Sequence, residues 1–162
     1  GGFNISFDYG RWNLKARFMY RYGNKVINQA RMTLESMSTA YNQASSVNWR
    51  WRKDGDETLM PRAIYVYNDN SAYNYQGSSR YVEDGSFLRF QNLQVGYNFD
   101  PKELKKYGLN RLQLYVTANN LFCWTRYSGV DPEISIGGWG QAIDKSQTPR
   151  AKSFTANINI GF

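Results

Sequence analysis

The chain has 162 residues, enough for one domain, with a formal net charge of +7, no histidine and one cysteine. The lack of histidine excludes Ser-His-Asp and Cys-His catalytic groups and histidine-ligated zinc, and Cys123 alone cannot form an internal disulfide. We therefore expect neither an enzyme active site nor a bound cofactor.

The basic charge does not by itself indicate nucleic-acid binding. The Lys and Arg residues are scattered, and Arg50, Arg52 and Lys53 come closest to a basic run. Aromatic residues form 17% of the chain, a proportion that suits the interfacial belts of a membrane protein. The sequence has no apolar run of about 18 residues and no charged, apolar leader, so neither a membrane-spanning helix nor a signal peptide is predicted.

The first two predicted strands, near residues 3–9 and 12–22, form a hairpin with a tight turn between them. The apolar face of the first strand is formed by Phe3, Ile5, Phe7 and Tyr9. The second run is about as long as a tilted strand that crosses a bilayer, and its charged residues all share the face opposite the aromatic rings.

A long loop is predicted near residues 24–84. Within it, residues 28–43 are compatible with a short helix, because Leu34, Met37 and Tyr41 have helical spacing. The remainder is rich in Asn, Ser, Asp, Tyr and Trp, as is typical of an elaborated surface loop. Its acidic turn, residues 54–57, lacks the ligand spacing of an EF-hand, so we expect no metal site.

The third and fourth predicted strands, near residues 86–99 and 111–122, are joined by a short connection. In the third strand Leu93 and Val95 alternate with polar residues, whereas the apolar residues upstream, at positions 88 and 90, fall in the opposite phase. Either a β-bulge near Gln91 or a segment beyond the bilayer with protein on both faces would explain this slip, and we favour the second explanation.

A second long loop, near residues 128–150, precedes a fifth strand near residues 152–162 that has the cleanest alternation in the chain. Connections therefore alternate between short and long, as in outer-membrane barrels, whose periplasmic turns are short and whose extracellular loops are long. This pattern predicts five strands that run down, up, down, up and down, with a periplasmic C-terminus and both long loops outside.

Several segments resemble the SusC/RagA family of TonB-dependent outer-membrane transporters. The longest, residues 79–98, reads SRYVEDGSFLRFQNLQVGYN, and residues 112–133, residues 149–155 and the opening hairpin also fit. The resemblance is weakest in two loop regions, residues 44–77 and 134–146. Cargo specificity would reside in those loops, so the cargo is not predicted.

The resemblance implies a fold and a set of partners. Barrels of this family have about 22 strands and are closed by a plug. Five strands cannot close such a barrel, and the plug and the TonB-contacting segment are absent from this chain. We therefore expect the all-β fold class, as a C-terminal segment of about five strands of a larger transmembrane antiparallel β-barrel. The implied function is import of glycan or peptide fragments across the bacterial outer membrane, powered by TonB and shared with a SusD-like surface lipoprotein.

The final strand resembles the C-terminal signal that the barrel assembly machinery recognises in outer-membrane proteins. The residues that carry this signal are Phe154, Ile158, Ile160 and Phe162. An ordinary edge strand that ends in Phe is the alternative, but an apolar edge would favour aggregation of a soluble protein. Exposed Lys and Arg residues near strand ends would meet membrane lipid and the phosphates of lipopolysaccharide.

Aromatic residues of the long loops are candidates for contact with the substrate or the lipoprotein lid, because rigid rings bind with little loss of entropy. These candidates are Trp49, Trp51, Tyr65, Tyr67, Tyr73, Tyr75 and Trp139. They could equally brace the loops.

Two other functions remain open. A small complete barrel of about eight strands with a structural or adhesive role fits the length, although three of its strands cannot be found. A soluble β-sheet module could instead bind nucleic acid through Arg, Lys and stacking rings, and salt-sensitive binding to single strands would support it. The transporter interpretation predicts no nucleic-acid partner.

Overall fold

The computed structural model describes residues 1–38, 40–64, 74, 76–134 and 141–162. In chain order its elements are β1 (Gly2–Tyr9), β2 (Trp12–Arg21), β3 (Lys25–Asn28), α1 (Gln29–Glu35), β4 (Val82–Asp84), β5 (Phe87–Asn98), α2 (Pro101–Leu104), β6 (Arg111–Thr125), β7 (Ile143–Asp144) and β8 (Ser153–Gly161). None of the helices in this described part of the chain is both long and apolar enough to cross a membrane.

The chain divides into two compact units. Unit 1 comprises residues 1–24, 85–126 and 149–162, and unit 2 comprises residues 25–84 and 127–148. Unit 1 is a five-stranded antiparallel sheet with the strand order β1-β2-β5-β6-β8, which confirms the predicted fold class. β6 runs to Thr125, beyond the predicted end at residue 122.

The strand register separates apolar from polar residues. One row of Cα partners across the whole sheet is Ile5, Ala16, Leu93, Ala118 and Phe154. The adjacent row of Cα partners consists of the polar residues Asn4, Arg17, Asn92, Asn119 and Ser153. Successive side chains of a strand point to opposite sides of a sheet. The first row and the rows two residues away from it therefore form an apolar face of unit 1, and the second row and the rows two residues away from it form a polar face.

A β-bulge in β5 accounts for the phase slip of the third predicted strand. Arg17 pairs with Asn92, whereas the next residue of β2, Phe18, pairs with Phe90, so Gln91 is an extra residue. This insertion returns Phe90 to the apolar face beside Phe18. The structure therefore confirms the β-bulge, the explanation that we did not favour, whereas a position of this segment beyond the bilayer stays a prediction.

The two short connections lie at one end of the unit 1 sheet. Gly10, with a φ of 58°, forms the turn between β1 and β2. The side chain of Asp100 caps α2 by accepting a hydrogen bond from the backbone N–H of Lys102 (2.8 Å). The guanidinium of Arg11 lies 2.5 Å from the Asp100 carboxylate, so a salt bridge ties one turn to the other.

Unit 2 contains a three-stranded sheet in the order β4-β3-β7, with β3 antiparallel to β4 and parallel to β7. These short strands lie in segments predicted as loops. Two small apolar clusters support the unit: Val26, Tyr127 and Ile134 form one, and Met37, Val47 and Met60 form the other. The helix α1 is shorter than the predicted 28–43, because Met37 adopts a φ of 50°, which a right-handed helix does not permit.

Candidate functional site

The apolar face of unit 1 leaves large side chains exposed. Phe154 is 72% exposed, Ile158 62% and Val116 55%. A continuous apolar surface of this kind is unfavourable in water, so it requires contact with an apolar phase or partner. The sheet therefore has no core of its own on this side.

Aromatic rings occupy both ends of the apolar face. At one end the ring of Phe18 stacks between those of Phe3 and Phe90, with centroid distances of 4.8 and 4.6 Å. At the other end Trp12 and Tyr97 contact each other at 4.8 Å. The rows between these two groups are mainly aliphatic, although they also contain Phe7 and Phe154 at the two edges of the sheet. Aromatic girdles on both sides of an aliphatic band are typical of a transmembrane barrel wall.

The polar face carries side chains that hydrogen-bond across the strands. Asn92 donates to the side-chain oxygen of Asn119 (2.7 Å), and Asn119 donates in turn to the hydroxyl of Ser153 (3.0 Å). The guanidinium of Arg17 donates to the side-chain oxygen of Asn4 (3.1 Å). Such a surface is compatible with water or with a polar protein surface, and it would suit the lumen of a plugged barrel.

A close approach of side chains occurs on the polar face at Gly96, which pairs with Tyr115. A Cβ at position 96 would lie 2.6 Å from the Tyr115 ring and would also meet the side chain of Asn13. Glycine is therefore required at this position, because only hydrogen leaves room for the ring.

The residues of the predicted assembly signal all lie on or directly after β8 and are exposed. They are Phe154, Ile158, Ile160 and Phe162. Among the described residues, β8 pairs with β6 on one edge and has no strand partner on the other. A terminal strand with a free edge and an apolar face could be recognised by another sheet edge, and recognition by the assembly machinery stays a prediction.

Two of the predicted loop aromatics are in the described part of unit 2. Trp49 ends a 3-10 helix, Ser45–Trp49, and is 79% exposed, whereas Trp51 is half-buried. The other candidates fall outside the described residues: Tyr65, Tyr67, Tyr73, Tyr75 and Trp139. A contact of any of these rings with cargo or lid remains a prediction.

The base of the unit 2 loops is held by a group of charged residues that sequence reasoning missed. Glu83 accepts hydrogen bonds from Arg31 (3.1 Å) and from the backbone N–H and the hydroxyl of Ser128 (2.9 and 2.8 Å). Glu35, which is 4% exposed, accepts from Arg31 (3.0 Å) and from Arg80 (3.1 Å). We call Arg31, Glu35, Arg80, Glu83 and Ser128 the loop ion cluster.

The loop ion cluster connects segments that are far apart in the sequence. Arg80, Glu83 and Ser128 lie within the segments that resemble the SusC/RagA family, which is the only signal in the sequence that marks them. Burial alone would raise the pKa of Glu83, but hydrogen bonds from Ser128, Arg31 and Asn28 outweigh burial and lower that pKa. Glu83 is therefore held as a carboxylate at neutral pH.

A second buried polar contact lies beside the apolar cluster of unit 2. The hydroxyl of Tyr127 donates a hydrogen bond to Asp144 at 2.6 Å, and both residues are buried. Burial, together with this hydrogen bond to a carboxylate, raises the pKa of Tyr127 well above its usual range. Within the described residues, no group of three His, Cys, Asp or Glu is arranged to hold a metal ion.

No protein-family model matches the chain. Among curated proteins, TonB-dependent receptor P39 of Formosa agariphila is 31% identical over 169 residues, which cover 100% of this chain and 16% of the receptor. TonB-dependent receptor P3 of the same organism is 30% identical over 168 residues, which cover 99% of this chain and 16% of that receptor. TonB-dependent receptor SusC of Bacteroides thetaiotaomicron is 31% identical over 86 residues, which cover 52% of this chain and 8% of SusC.

Solved structures give the same result. The RagAB peptide importer in its open-open state has a chain with a TM-score of 0.82 and 27% identity, and the match covers 100% of this chain and 17% of that one. The RagAB peptide transporter in another structure gives a TM-score of 0.80 at 27% identity, with 99% and 17% covered. The chain thus spans about a sixth of the length of these relatives. With its five-stranded wall of one apolar and one polar face, the chain belongs to the SusC/RagA group of TonB-dependent receptors and forms a portion of the barrel.

Proposed function

We propose that the chain is the C-terminal wall segment of a transporter in the bacterial outer membrane that imports glycan or peptide fragments with energy from TonB. The observation that carries this proposal is the pair of contrasting faces in unit 1: exposed Val116 and Ile158 on one side, and the hydrogen-bonded Asn92 and Asn119 on the other. The apolar face would contact lipid, and the polar face would line the lumen around a plug.

The connections between the strands support an orientation in the membrane. Both short turns lie at one end of the unit 1 sheet, and β8 finishes at that same end, since Gly161 pairs with Arg111. The two long insertions leave the sheet from the other end. Because outer-membrane barrels have short periplasmic turns and long external loops, the C-terminus would be periplasmic and unit 2 extracellular.

The partners would be shared between this segment and the rest of the protein. The likeness to the RagAB peptide importer supports a SusD-like lipoprotein that covers the extracellular loops. TonB and the plug would act through other parts of the polypeptide, and β8 would present the signal to the barrel assembly machinery. Membrane lipid and lipopolysaccharide would contact the apolar face and its basic rim, and the transporter would bind no nucleic acid and perform no enzymatic reaction.

The test uses the full-length protein in its host, with and without functional TonB. We expect the protein to fractionate with the outer membrane and to need detergent for extraction. Uptake of its cargo, followed as growth on mixed oligosaccharides or on peptides, should be lost without TonB although the protein remains in the membrane. Recovery as a detergent-free monomer, TonB-independent uptake, or salt-sensitive binding to single-stranded DNA would contradict the proposal.

A further inference from the structure

One loop of unit 2 concentrates positive charge around an open depression in the surface. Its lining includes four basic side chains and one acidic side chain, which are Arg50, Arg52, Lys53, Arg62 and Asp54. Trp51 also lines it, and a neighbouring depression combines Trp49 with Arg50, Arg52 and Lys53 and with the acidic Asp56 and Glu57. We call this surface the basic loop depression. It contains Arg50, Arg52 and Lys53, the residues that come closest to a basic run in the sequence.

The backbone beneath the basic loop depression is well defined. The N–H of Trp51 donates to the carbonyl of Met60 (3.0 Å), and Arg50 forms a β-bridge with Met60. The carboxylate of Asp56 closes the turn between them by accepting hydrogen bonds from the backbone N–H groups of Arg52 (2.9 Å) and Lys53 (3.1 Å). The basic side chains are therefore presented from a fixed turn.

None of the four basic residues of this depression forms a salt bridge with a carboxylate of the described residues. The salt bridges found there involve Arg11, Arg31 and Arg80 and none of the four basic residues of the depression. Two of the four have a guanidinium that donates to a carbonyl oxygen: Arg50 to Val47 (3.3 Å) and Arg52 to Asn48 (2.9 Å). These bonds orient the side chains without compensating their charge, so an external anion would complete the site.

The arginine and tryptophan side chains of the basic loop depression indicate which class of ligand it binds. A guanidinium fork matches the paired oxygens of a carboxylate or a sulfate, and an exposed indole ring stacks on the apolar face of a sugar. Resting on the proposed transport function, we propose that the basic loop depression binds oligosaccharides that carry carboxylate or sulfate groups. An acidic peptide would satisfy the charges of Lys53 and Arg62 but would leave the rings of Trp49 and Trp51 without a sugar face to cover.

Calorimetric titration of the purified full-length transporter in detergent tests this assignment. Four probes of similar length are compared: tetragalacturonate, a sulfated carrageenan tetrasaccharide, maltotetraose and tetraglutamate. We expect at least one of the two anionic sugars to bind about tenfold more tightly than maltotetraose and tetraglutamate, and binding to weaken in high salt. The stronger of the two shows whether carboxylate or sulfate is the recognised group.

The variants remove charge at side chains that make no hydrogen bond within the described part of the chain. Lys53→Gln combined with Arg62→Gln should weaken binding of the anionic sugar about tenfold and leave maltotetraose unchanged. Lys145→Gln, an exposed lysine of the same unit outside the depression, is the matched control and should change neither. Trp49→Ala should weaken binding of the anionic sugar while the salt dependence persists.

The outcomes separate this inference from the proposed function. Tighter binding of tetraglutamate, equal binding of maltotetraose, or an unaffected double variant would overturn the assignment of an anionic sugar. If TonB-dependent uptake continues in that case, the transport proposal stands and the ligand class alone is wrong. Loss of TonB dependence would overturn the transport proposal, whereas the titration would still decide whether the depression binds anionic sugars.

Discussion

Val116 provides a direct test of which face of the sheet meets lipid. It lies on the apolar face of β6 between Val95 and Ala156, and at 55% exposed it leaves room for a longer side chain. Replacement by arginine would therefore cause little steric strain. The cost of Val116→Arg would come from placing a charge in hydrocarbon.

The depth of Val116 in the bilayer determines how much unfolding free energy Val116→Arg should cost. At about 3.3 Å per residue, Val116 is about 13 Å along β6 from Leu112 and about 26 Å from Trp124, the first and last residues of the apolar face. A strand tilt of about 40° converts these to depths of about 10 and 20 Å. Arginine costs about 2 to 4 kcal/mol at the midplane and about 0 to 1 kcal/mol near the interface, so we expect a loss of about 2 kcal/mol.

Urea unfolding of the full-length transporter in lipid vesicles, followed by tryptophan fluorescence, would measure this loss. The matched control is Thr117→Arg, the adjacent residue, which faces the polar side between Gln94 and Thr155. We expect that variant to lose less than about 1 kcal/mol, as is usual for a substitution without burial of charge. A larger loss for Thr117→Arg than for Val116→Arg would show that the apolar face does not contact lipid.

Further predictions concern the loop ion cluster and the tight packing of the polar face. Glu83→Gln keeps the shape of the side chain but removes its charge, so hydrogen exchange of β3 and α1 should reveal a local loss of about 1 to 2 kcal/mol. Since folding lowers the pKa of Glu83, its contribution is present above the ordinary value of 4.5 and is lost as the pH falls through the lower folded pKa. Exchange protection of the wild type should therefore fall with acidification below about pH 4.5, and Glu83→Gln should not show this fall. Gly96→Ala should reduce the yield of folded protein in the outer membrane because its Cβ meets Tyr115, whereas Gly77→Ala, in open space, should not.

The strands of unit 1 could be predicted because two different environments act on alternate residues. In β8, Ile158 and Ile160 face the apolar side, and Asn157 and Asn159 face the polar side, so the period of two is visible in the sequence. The bulge at Gln91 was visible only as a change of phase. Its cause depends on the register with β2, which the sequence of β5 alone does not contain.

The strands of unit 2 were largely unpredictable because their pairing, like the bulge, depends on residues that are far away in the sequence. β3 has four residues and pairs with β4 through Lys25 and Asp84, which lie far apart in the sequence. A strand of this length shows no clear period, and its pairing depends on closure of a long loop. The contact of Arg31 with Glu83 likewise arises from that pairing and not from any local spacing.

The loop ion cluster anchors the loop that carries the basic loop depression. Arg80 donates to the carbonyl of Leu59 (2.7 Å), and Glu35 accepts from the hydroxyl of Ser46 (3.0 Å), so the cluster holds both ends of the loop. Lys53 lies between these attachments and Arg62 lies three residues beyond Leu59, and both are in the region where the resemblance to SusC/RagA is weakest. Among the described residues, their side chains make no hydrogen bond to this frame, so substitutions there would alter the charge offered to cargo and leave the attachments intact. The proposed binding surface and the barrel wall thus depend on different residues of one chain.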